Sequence, residues 1–93
     1  MKTAFDPAKD VSNITKHGMS LAEAVNIEWD TLWAFEDDRA DYGEVRMIGF
    51  AYIGFAYIGL RLHCVVYTDR GDTRRIISLR KANSREEKRY AAA

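Results

Sequence analysis

The chain has few of the residues that mark several protein classes. Its 93 residues include one cysteine, Cys64, and one proline, Pro7. A single cysteine excludes an intrachain disulfide and favours a reducing compartment. A hydrophobic content of 47% argues against disorder, and residues 47–60, the longest weakly polar run, are too few to span a membrane as a helix. No apolar targeting segment opens the sequence. We therefore expect one cytoplasmic domain over residues 1–93, with no membrane partner.

Charge is balanced overall but unevenly distributed. The formal net charge is zero, yet residues 1–46 carry five Lys or Arg against ten Asp or Glu, and residues 47–93 carry nine against four. The positive second half predicts a surface that faces a polyanion. Alternatively, the two halves neutralise each other across the folded domain, because surface pairing is common.

Local signals in the first third predict a strand and two helices. Residues 2–5 are a short strand candidate, followed by Asp6 as N-cap and Pro7 in the first turn of a helix over residues 7–17 that Gly18 ends.

Periodicity then assigns faces to the helices. In the first helix, Val11 and Ile14 are expected to be buried and Asn13 to lie on the opposite side. A capping box at Ser20 predicts a second helix to about residue 29, followed by an exposed acidic loop over residues 31–43.

The second half changes to strand patterns. Residues 45–53, 60–68 and 73–80 are rich in β-branched and aromatic residues, and residues 69–72 have a turn composition. A capping box at Ser84 predicts a last helix to about residue 90. The predicted fold is α+β, with two N-terminal helices, an antiparallel β-meander and a C-terminal helix.

A tandem repeat interrupts the meander. Residues 49–53, Gly-Phe-Ala-Tyr-Ile, are followed by an identical copy at 54–58. Because side chains alternate along a strand, five added residues would turn every later side chain to the other face. The copy must be absorbed by a lengthened hairpin, by a bulge or by re-pairing of the strands.

Several chemistries lack the necessary residues. The two histidines and one cysteine have no metal-ligand spacing, and no glycine-rich nucleotide loop is present, so we expect no metal and no cofactor. Cys64 lies in an apolar alternation typical of a core residue. What remains is chemistry carried by cations, histidine and acids, for which Arg46, Arg75, Arg80, Lys81 and His17 are available. Cleavage of an RNA phosphodiester is one reaction of this kind, because it needs cations at the phosphate and groups that move protons.

Five segments resemble one known family, the BrnT toxins. The resemblance covers nearly the whole chain in the family's order, and Lys-His-Gly before a capping box and Ile-Ile-Ser-x-Arg-Lys-Ala are its most specific parts. The segments are residues 5–9, 16–24, 43–48, 65–71 and 75–82.

The resemblance implies an activity and partners. BrnT toxins have a compact RelE-like fold and are ribonucleases of type II toxin–antitoxin pairs that cut RNA without metal and block translation. The implied partners are the RNA substrate and a BrnA-like antitoxin, a ribbon-helix-helix protein through which DNA is contacted only indirectly.

The same resemblance implies five catalytic residues. Arg46 and Arg80 would hold and polarise the phosphate, Lys81 would add positive field, and His17 or Glu44 would move protons. The alternative for His17 is a helix-terminal residue that bonds backbone carbonyls. Arg80 and Lys81 would point to opposite faces of a continuous strand. The expected RNA-binding residues are Lys16, Arg75, Ser78, Lys88, Arg89 and Tyr90.

The repeat departs from the family pattern, since removal of one copy restores the usual hairpin length. It brings together Phe50, Tyr52, Phe55 and Tyr57. This aromatic hairpin would mediate a homo-oligomer, or the insertion would displace Arg46 and inactivate the toxin. Two other functions stay open at this point: a non-catalytic module that binds nucleic acid or protein, and an interaction protein held together by the hairpin.

Overall fold

The computed structural model describes residues 1–55 and 59–93, and at Phe55 it describes the backbone alone. The elements in chain order are β1 (Lys2–Phe5), α1 (Pro7–His17), a 3₁₀ helix (Leu21–Asn26), β2 (Ile27–Glu36), β3 (Met47–Phe55), β4 (Gly59–Arg70), β5 (Thr73–Lys81) and α2 (Ser84–Ala92).

The strands form one mixed sheet in the order β1-β5-β4-β3-β2. Strands β3 to β5 form the expected antiparallel meander, β2 adds a fourth antiparallel strand that was not predicted, and β1 adds a parallel strand to the free edge of β5. The predicted α+β class and C-terminal helix are confirmed. Neither α1 nor α2, the α-helices of the described part, is long and apolar enough to cross a membrane.

The second N-terminal helix and the long acidic loop were wrong predictions. Ser20 caps only the six-residue 3₁₀ helix, and strand β2 then occupies residues 31–36 of the expected loop. The reason is that this segment has apolar side chains on both sides. Ile27 and Trp29 pack into one core cluster, whereas Trp33 and Phe35 pack into another. A register irregularity between Glu28 and Trp33 turns the second pair to the other face, so one strand buries both sets, whereas a short helix would bury one.

The two clusters cover the two faces of the sheet. The first packs the sheet against the 3₁₀ helix through buried Leu21 and Ala24. The second packs it against α2, whose Tyr90 meets Tyr52 edge to face and donates a hydrogen bond to the carbonyl oxygen of Thr31. Helix α2 therefore lies over the face opposite the 3₁₀ helix.

Helix α1 has the predicted bounds but not the predicted faces. Asp6 caps its start and Gly18, at φ 67°, ends it. Val11 and Ile14, expected to be buried, are 66% and 47% exposed, while Asn13 is only 4% exposed. The assignment of the apolar pair to the core is thus wrong.

Asn13 is buried because it completes the edge of the sheet. Strand β1 ends at Phe5, opposite Ile76, so no strand lies beside the following residues of β5. There the Asn13 amide donates to the carbonyl oxygen of Leu79 (2.8 Å) and accepts from the Leu79 N–H (3.1 Å). The same amide donates to Met19 O at 2.8 Å. One side chain therefore satisfies backbone groups that burial would otherwise leave unpaired.

The tandem copy lengthens the β3–β4 hairpin. The ladder between the two strands runs without a shift from Met47 opposite Tyr67 to Phe55 opposite Gly59. Within it Phe50 is buried and Tyr52 half-buried, while Tyr57 lies outside the described residues. Of the three ways to absorb the copy, the structure adopts the longer hairpin.

Replacing Asn13 should destabilise the fold more than replacing the exposed apolar residues of the same helix. For Asn13→Ala we expect a loss of about 2–4 kcal/mol in urea unfolding, because the backbone groups of Leu79 lose their partners in a buried site. Val11→Ala is the matched control, with an expected change within about 0.5 kcal/mol. A larger loss of stability in Val11→Ala than in Asn13→Ala would show instead that Val11 and Ile14 anchor the helix.

Candidate RNA-binding cleft

A cleft of about 420 Å³ opens on the α2 side of the sheet. Strand β5, the connection between β2 and β3, and helix α2 each contribute to its polar rim, whereas the strands supply an apolar floor. The rim consists of Arg39, Ser78, Arg80, Glu86 and Arg89, and the floor of Phe35, Ile48, Phe50, Cys64 and Val66.

A one-residue bulge in β5 sets which side chains face this cleft. Val66 of β4 pairs with Ser78, but the next residue, Tyr67, pairs with Ile76, so Ile77 is the extra residue. Beyond the bulge Thr68 pairs with Arg75. Because alternate residues of β4 share a face, their partners Arg75, Ser78 and Arg80 also share one.

Arg80 is joined to helix α2 by Glu86. Its Nη1 and Nη2 donate to the two carboxylate oxygens of Glu86 at 2.7 and 2.8 Å, and Nη1 also donates to the carbonyl oxygen of Lys81 at 3.2 Å. The Arg80 guanidinium lowers the pKa of Glu86, and Glu86 in turn raises the pKa of Arg80. These bonds use three of the five guanidinium donors, so Nε–H and one Nη2–H remain for another acceptor.

Arg39 is a cleft residue that the sequence interpretation missed, since it lies in the segment expected to be an acidic loop. The buried carboxylate of Asp37 accepts from the Arg39 backbone N–H (3.2 Å), from its Nε and Nη2 (both 2.8 Å) and from the Tyr42 hydroxyl (3.1 Å). Hydrogen bonds from Arg39 hold the pKa of Asp37 far below its usual range. The signal in the sequence was the Asp-x-Arg spacing, which is typical of an Asx-turn.

Arg89 and Tyr90 are neighbours on α2 with different surroundings. The Arg89 guanidinium lies 5.6 Å from the ring centroids of both Trp33 and Phe35, a cation–π distance. The Tyr90 hydroxyl is engaged with Thr31 of β2. Of the two expected RNA contacts, Arg89 lines the cleft and Tyr90 anchors the helix. Lys88 is exposed on the same helix.

The predicted residues His17 and Lys16 lie elsewhere. Both are exposed near the end of α1 and line a second groove of about 300 Å³ between α1 and β5. The groove also includes Lys9 and Ser78, and Ser78 is shared with the cleft that contains Arg80. His17 and Arg80 therefore line two different sites that meet at Ser78.

Arg46 and Lys81 are also outside the cleft. A hydrogen bond from the Asp37 N–H to the carbonyl oxygen of Arg46 extends the β2–β3 ladder by one pair, and the Arg46 guanidinium lies 3.7 Å from the ring centroid of Tyr42. Lys81 pairs with His63 and faces the side opposite Arg80, as the strand alternation predicted.

Glu44, the remaining catalytic candidate, forms a separate ion pair. Its carboxylate accepts from Arg70 at 2.8 and 3.0 Å, and these bonds lower the pKa of Glu44. It lines a shallow depression with Asp38, Asp41 and other residues of the connection before β3. Among residues 1–55 and 59–93, no three His, Cys, Asp or Glu side chains are grouped closely enough to hold a metal ion.

Comparison with known proteins gives a family. The model of the BrnT ribonuclease toxins of type II toxin–antitoxin systems matches residues 5–86. The chain belongs to the BrnT family. No curated protein matches it. Membership makes it a toxin of the ribonuclease class with an antitoxin as partner. The matched span includes Arg39, Arg80 and Glu86 but ends before Arg89, so the place of Arg89 in the BrnT cleft comes from this structure alone.

The Arg80–Glu86 pair should make stability depend on acid pH. The pKa of Glu86 in the folded state is below its ordinary value of 4.5, so the pair contributes fully above that pH and is lost as the pH falls through the folded value. At neutral pH, Glu86→Gln should cost about 1 kcal/mol in urea unfolding, and the difference from the unchanged protein should shrink toward pH 3.

The adjacent Glu87→Gln provides the control. Glu87 is more exposed than Glu86, and its ion pair with Arg61 is a single long contact of 3.9 Å. It should change stability little at any pH. Equal and pH-independent losses in both variants would contradict a stabilising role for the Arg80–Glu86 pair.

Proposed function

We propose that this BrnT toxin is an endoribonuclease that holds the scissile phosphate of RNA between Arg39, Arg80 and Arg89 and cleaves it without a metal ion. One observation carries the proposal: three guanidinium groups from three separate elements line a single cleft. The planar fork of arginine matches two phosphate oxygens, which makes it the side chain best suited to this task.

The reaction is an attack of the 2′-oxygen of RNA on the adjacent phosphorus. The bond from phosphorus to the 5′-oxygen breaks, leaving a 2′,3′-cyclic phosphate and a 5′-hydroxyl. Negative charge grows on the non-bridging oxygens, where Arg80 and Arg39 donate hydrogen bonds. Donors already aimed at developing charge are commonly the largest contribution to such catalysis.

Proton transfer falls to the acidic member of the cleft. Glu86 is the one carboxylate among the described lining residues, and its lowered pKa keeps it ionised at neutral pH. It accepts the proton of the 2′-hydroxyl, while water protonates the departing 5′-oxygen. Because a carboxylate paired with Arg80 is a weak base, the arginines supply most of the rate enhancement.

Other cations support RNA binding in this proposal. Arg75 lies on the same face of the sheet as Arg80, and Arg46 lies at the same end of the sheet as Arg75. In this proposal both arginines contact phosphates that flank the cleft. Lys88 extends the positive surface along α2, and Lys81 adds long-range field from the other face. His17 and Glu44 do not line this cleft, so the proposal gives them no part in the proton transfer.

The proposal extends to partners and location. The antitoxin is a BrnA-like ribbon-helix-helix protein, so DNA contact is indirect, and the pair acts in the cytoplasm, where it cuts RNA and blocks translation. A homo-oligomer through the aromatic hairpin has less support, because Phe50 is 2% exposed and Tyr52 packs against Tyr90.

Replacing Arg80 tests the proposal directly. Purified protein in EDTA should cleave RNA, and the addition of a BrnA-like antitoxin should stop it. Arg80→Ala should lower the cleavage rate by about 100-fold, because one donor set at the charged oxygens is lost. Arg80→Lys should recover only part of it, because lysine lacks the fork.

Arg85→Ala, an exposed neighbour on α2 that lines neither cleft, is the matched control and should retain full activity. RNA that is shifted in a gel but never cut would favour the non-catalytic module. Equal cleavage by Arg80→Ala and Arg85→Ala would remove Arg80 from the site.

The geometry of the hairpin argues against an inactivating repeat. Without residues 54–58, Ile53 would still face Arg61, and Gly59 and Leu60 would remain as a two-residue connection. Glycine in the first position suits a type II′ turn, the turn that connects tight hairpins. The ladder pairs from Met47–Tyr67 to Ile53–Arg61, including those that form the cleft floor, are then unchanged.

Deletion of residues 54–58 should therefore leave RNA cleavage and growth arrest within about twofold of the full chain. The measurement compares both proteins in the cleavage assay and after induced expression without antitoxin. A gain of tenfold or more on deletion would instead show that the repeat inactivates the toxin.

A further inference from the structure

The groove between α1 and β5 carries concentrated positive charge. Lys9, Lys16 and His17 are exposed on α1, seven and eight residues apart, which places them on one side of the helix, two turns from end to end. All three line the groove together with Ile77 and Ser78 of β5. The groove therefore combines two lysines and a histidine with a part of β5 that has no neighbouring strand on this edge.

These cations differ from most arginines of the sheet. Arg70 and Arg74 each make a two-point pair with a carboxylate, as Arg39 and Arg80 do. Within residues 1–55 and 59–93, by contrast, no carboxylate oxygen lies within 4.0 Å of the side-chain nitrogens of Lys9, Lys16 or His17.

The acidic residues of α1 are engaged elsewhere. Asp6 accepts from the backbone N–H of Ala8 at the helix start. Asp10 accepts from the Ser20 hydroxyl and the Leu21 N–H at the 3₁₀ helix. The charge of the groove is thus left for a ligand from outside the domain.

The groove and the Arg80 cleft meet at one residue. Asn13 of α1 bonds to the edge of β5 at Leu79, whereas strand β1 ends opposite Ile76, so on this edge no strand pairs with β5 at the bulge residue Ile77. Ser78, the next residue, lines both the groove and the cleft. A flexible chain that leaves the cleft over Ser78 therefore enters the groove.

We propose that this groove is a second phosphate subsite, in which Lys9, Lys16 and His17 bind the RNA backbone one or more nucleotides away from the scissile linkage. The inference rests on the proposed ribonuclease function and specifies its substrate: a single strand longer than a dinucleotide. Lysine acts on phosphate as a point charge, so the subsite contributes affinity without base preference. It also makes His17 a binding residue rather than a proton donor.

The test neutralises two charges in the groove and two outside it. The variant Lys9→Gln/Lys16→Gln is compared with Lys2→Gln/Arg85→Gln, whose residues are exposed and line neither site. Binding is measured with a 2′-O-methylated RNA of twelve nucleotides at several salt concentrations, and cleavage with the unmodified twelve-nucleotide RNA and with a dinucleotide.

Loss of two phosphate contacts should lower the slope of log affinity against log salt by about 1.4 in the groove variant, and the control variant should keep the slope of the unchanged protein. For the twelve-nucleotide RNA, KM should rise about tenfold with kcat unchanged. Cleavage of the dinucleotide should not change, because it fills only the Arg80 cleft.

Identical salt slopes and KM values in the two variants, with an active unchanged protein, would overturn the subsite and leave the ribonuclease proposal intact. Equal loss on both substrates would place the lysines in the catalytic centre and would also overturn it. An unchanged protein that neither binds nor cuts RNA would refute the ribonuclease proposal itself. Equal midpoints of thermal unfolding in the two variants would show that the differences in binding and cleavage do not come from misfolding.

Discussion

The bond between Arg80 and Glu86 is the contact on which the proposed site depends. It links β5 to α2, so it fixes the helix over one face of the sheet and at the same time forms a wall of the cleft. A guanidinium beside the apolar side chains of Phe50 and Cys64 loses hydration, and a two-point partner offsets that loss. The same interaction therefore supports the fold and allows a cation to line an apolar floor.

Asp37 does for Arg39 what Glu86 does for Arg80. Each carboxylate reduces the net charge of the cleft, which weakens nonspecific attraction of polyanions. Each also fixes the direction of a long side chain that would otherwise lose rotamer freedom when a phosphate binds. The carboxylates thus weaken the positive potential of the cleft but hold the guanidinium donors in fixed directions. Fixed donors favour binding of a correctly placed phosphate over a loosely attached one.

The sequence predicted the features that depend on neighbours along the chain. Asp6 and Gly18 mark the ends of α1, and both do so in the structure. The wrong predictions concern features set at a distance. The sequence pattern of β2 fits a helix or a strand until its partner strand is known. Asn13 is buried because β1 ends before Leu79, so that the Asn13 amide takes the place of a strand at that part of β5. Arg39 lines the cleft because it bonds to the buried carboxylate of Asp37. The sequence did not predict this burial, because Asp37 lies in a run of acidic residues, which is typical of an exposed loop.

Two insertions of an odd number of residues, the bulge in β5 and the tandem repeat, affect the faces of the sheet differently. Their positions in the sheet explain the difference. The single extra residue at Ile77 lies inside a ladder, so it exchanges the faces on its two sides and brings Arg75 to the face of Ser78 and Arg80. The five extra residues of the repeat lie at the end of a hairpin, where the ladder gains the pairs Gly54–Leu60 and Phe55–Gly59 beyond Ile53–Arg61. No side chain nearer the cleft changes face. A sheet therefore tolerates an insertion at a hairpin end, whereas removal of the bulge would move Arg75 to the face opposite Ser78 and Arg80.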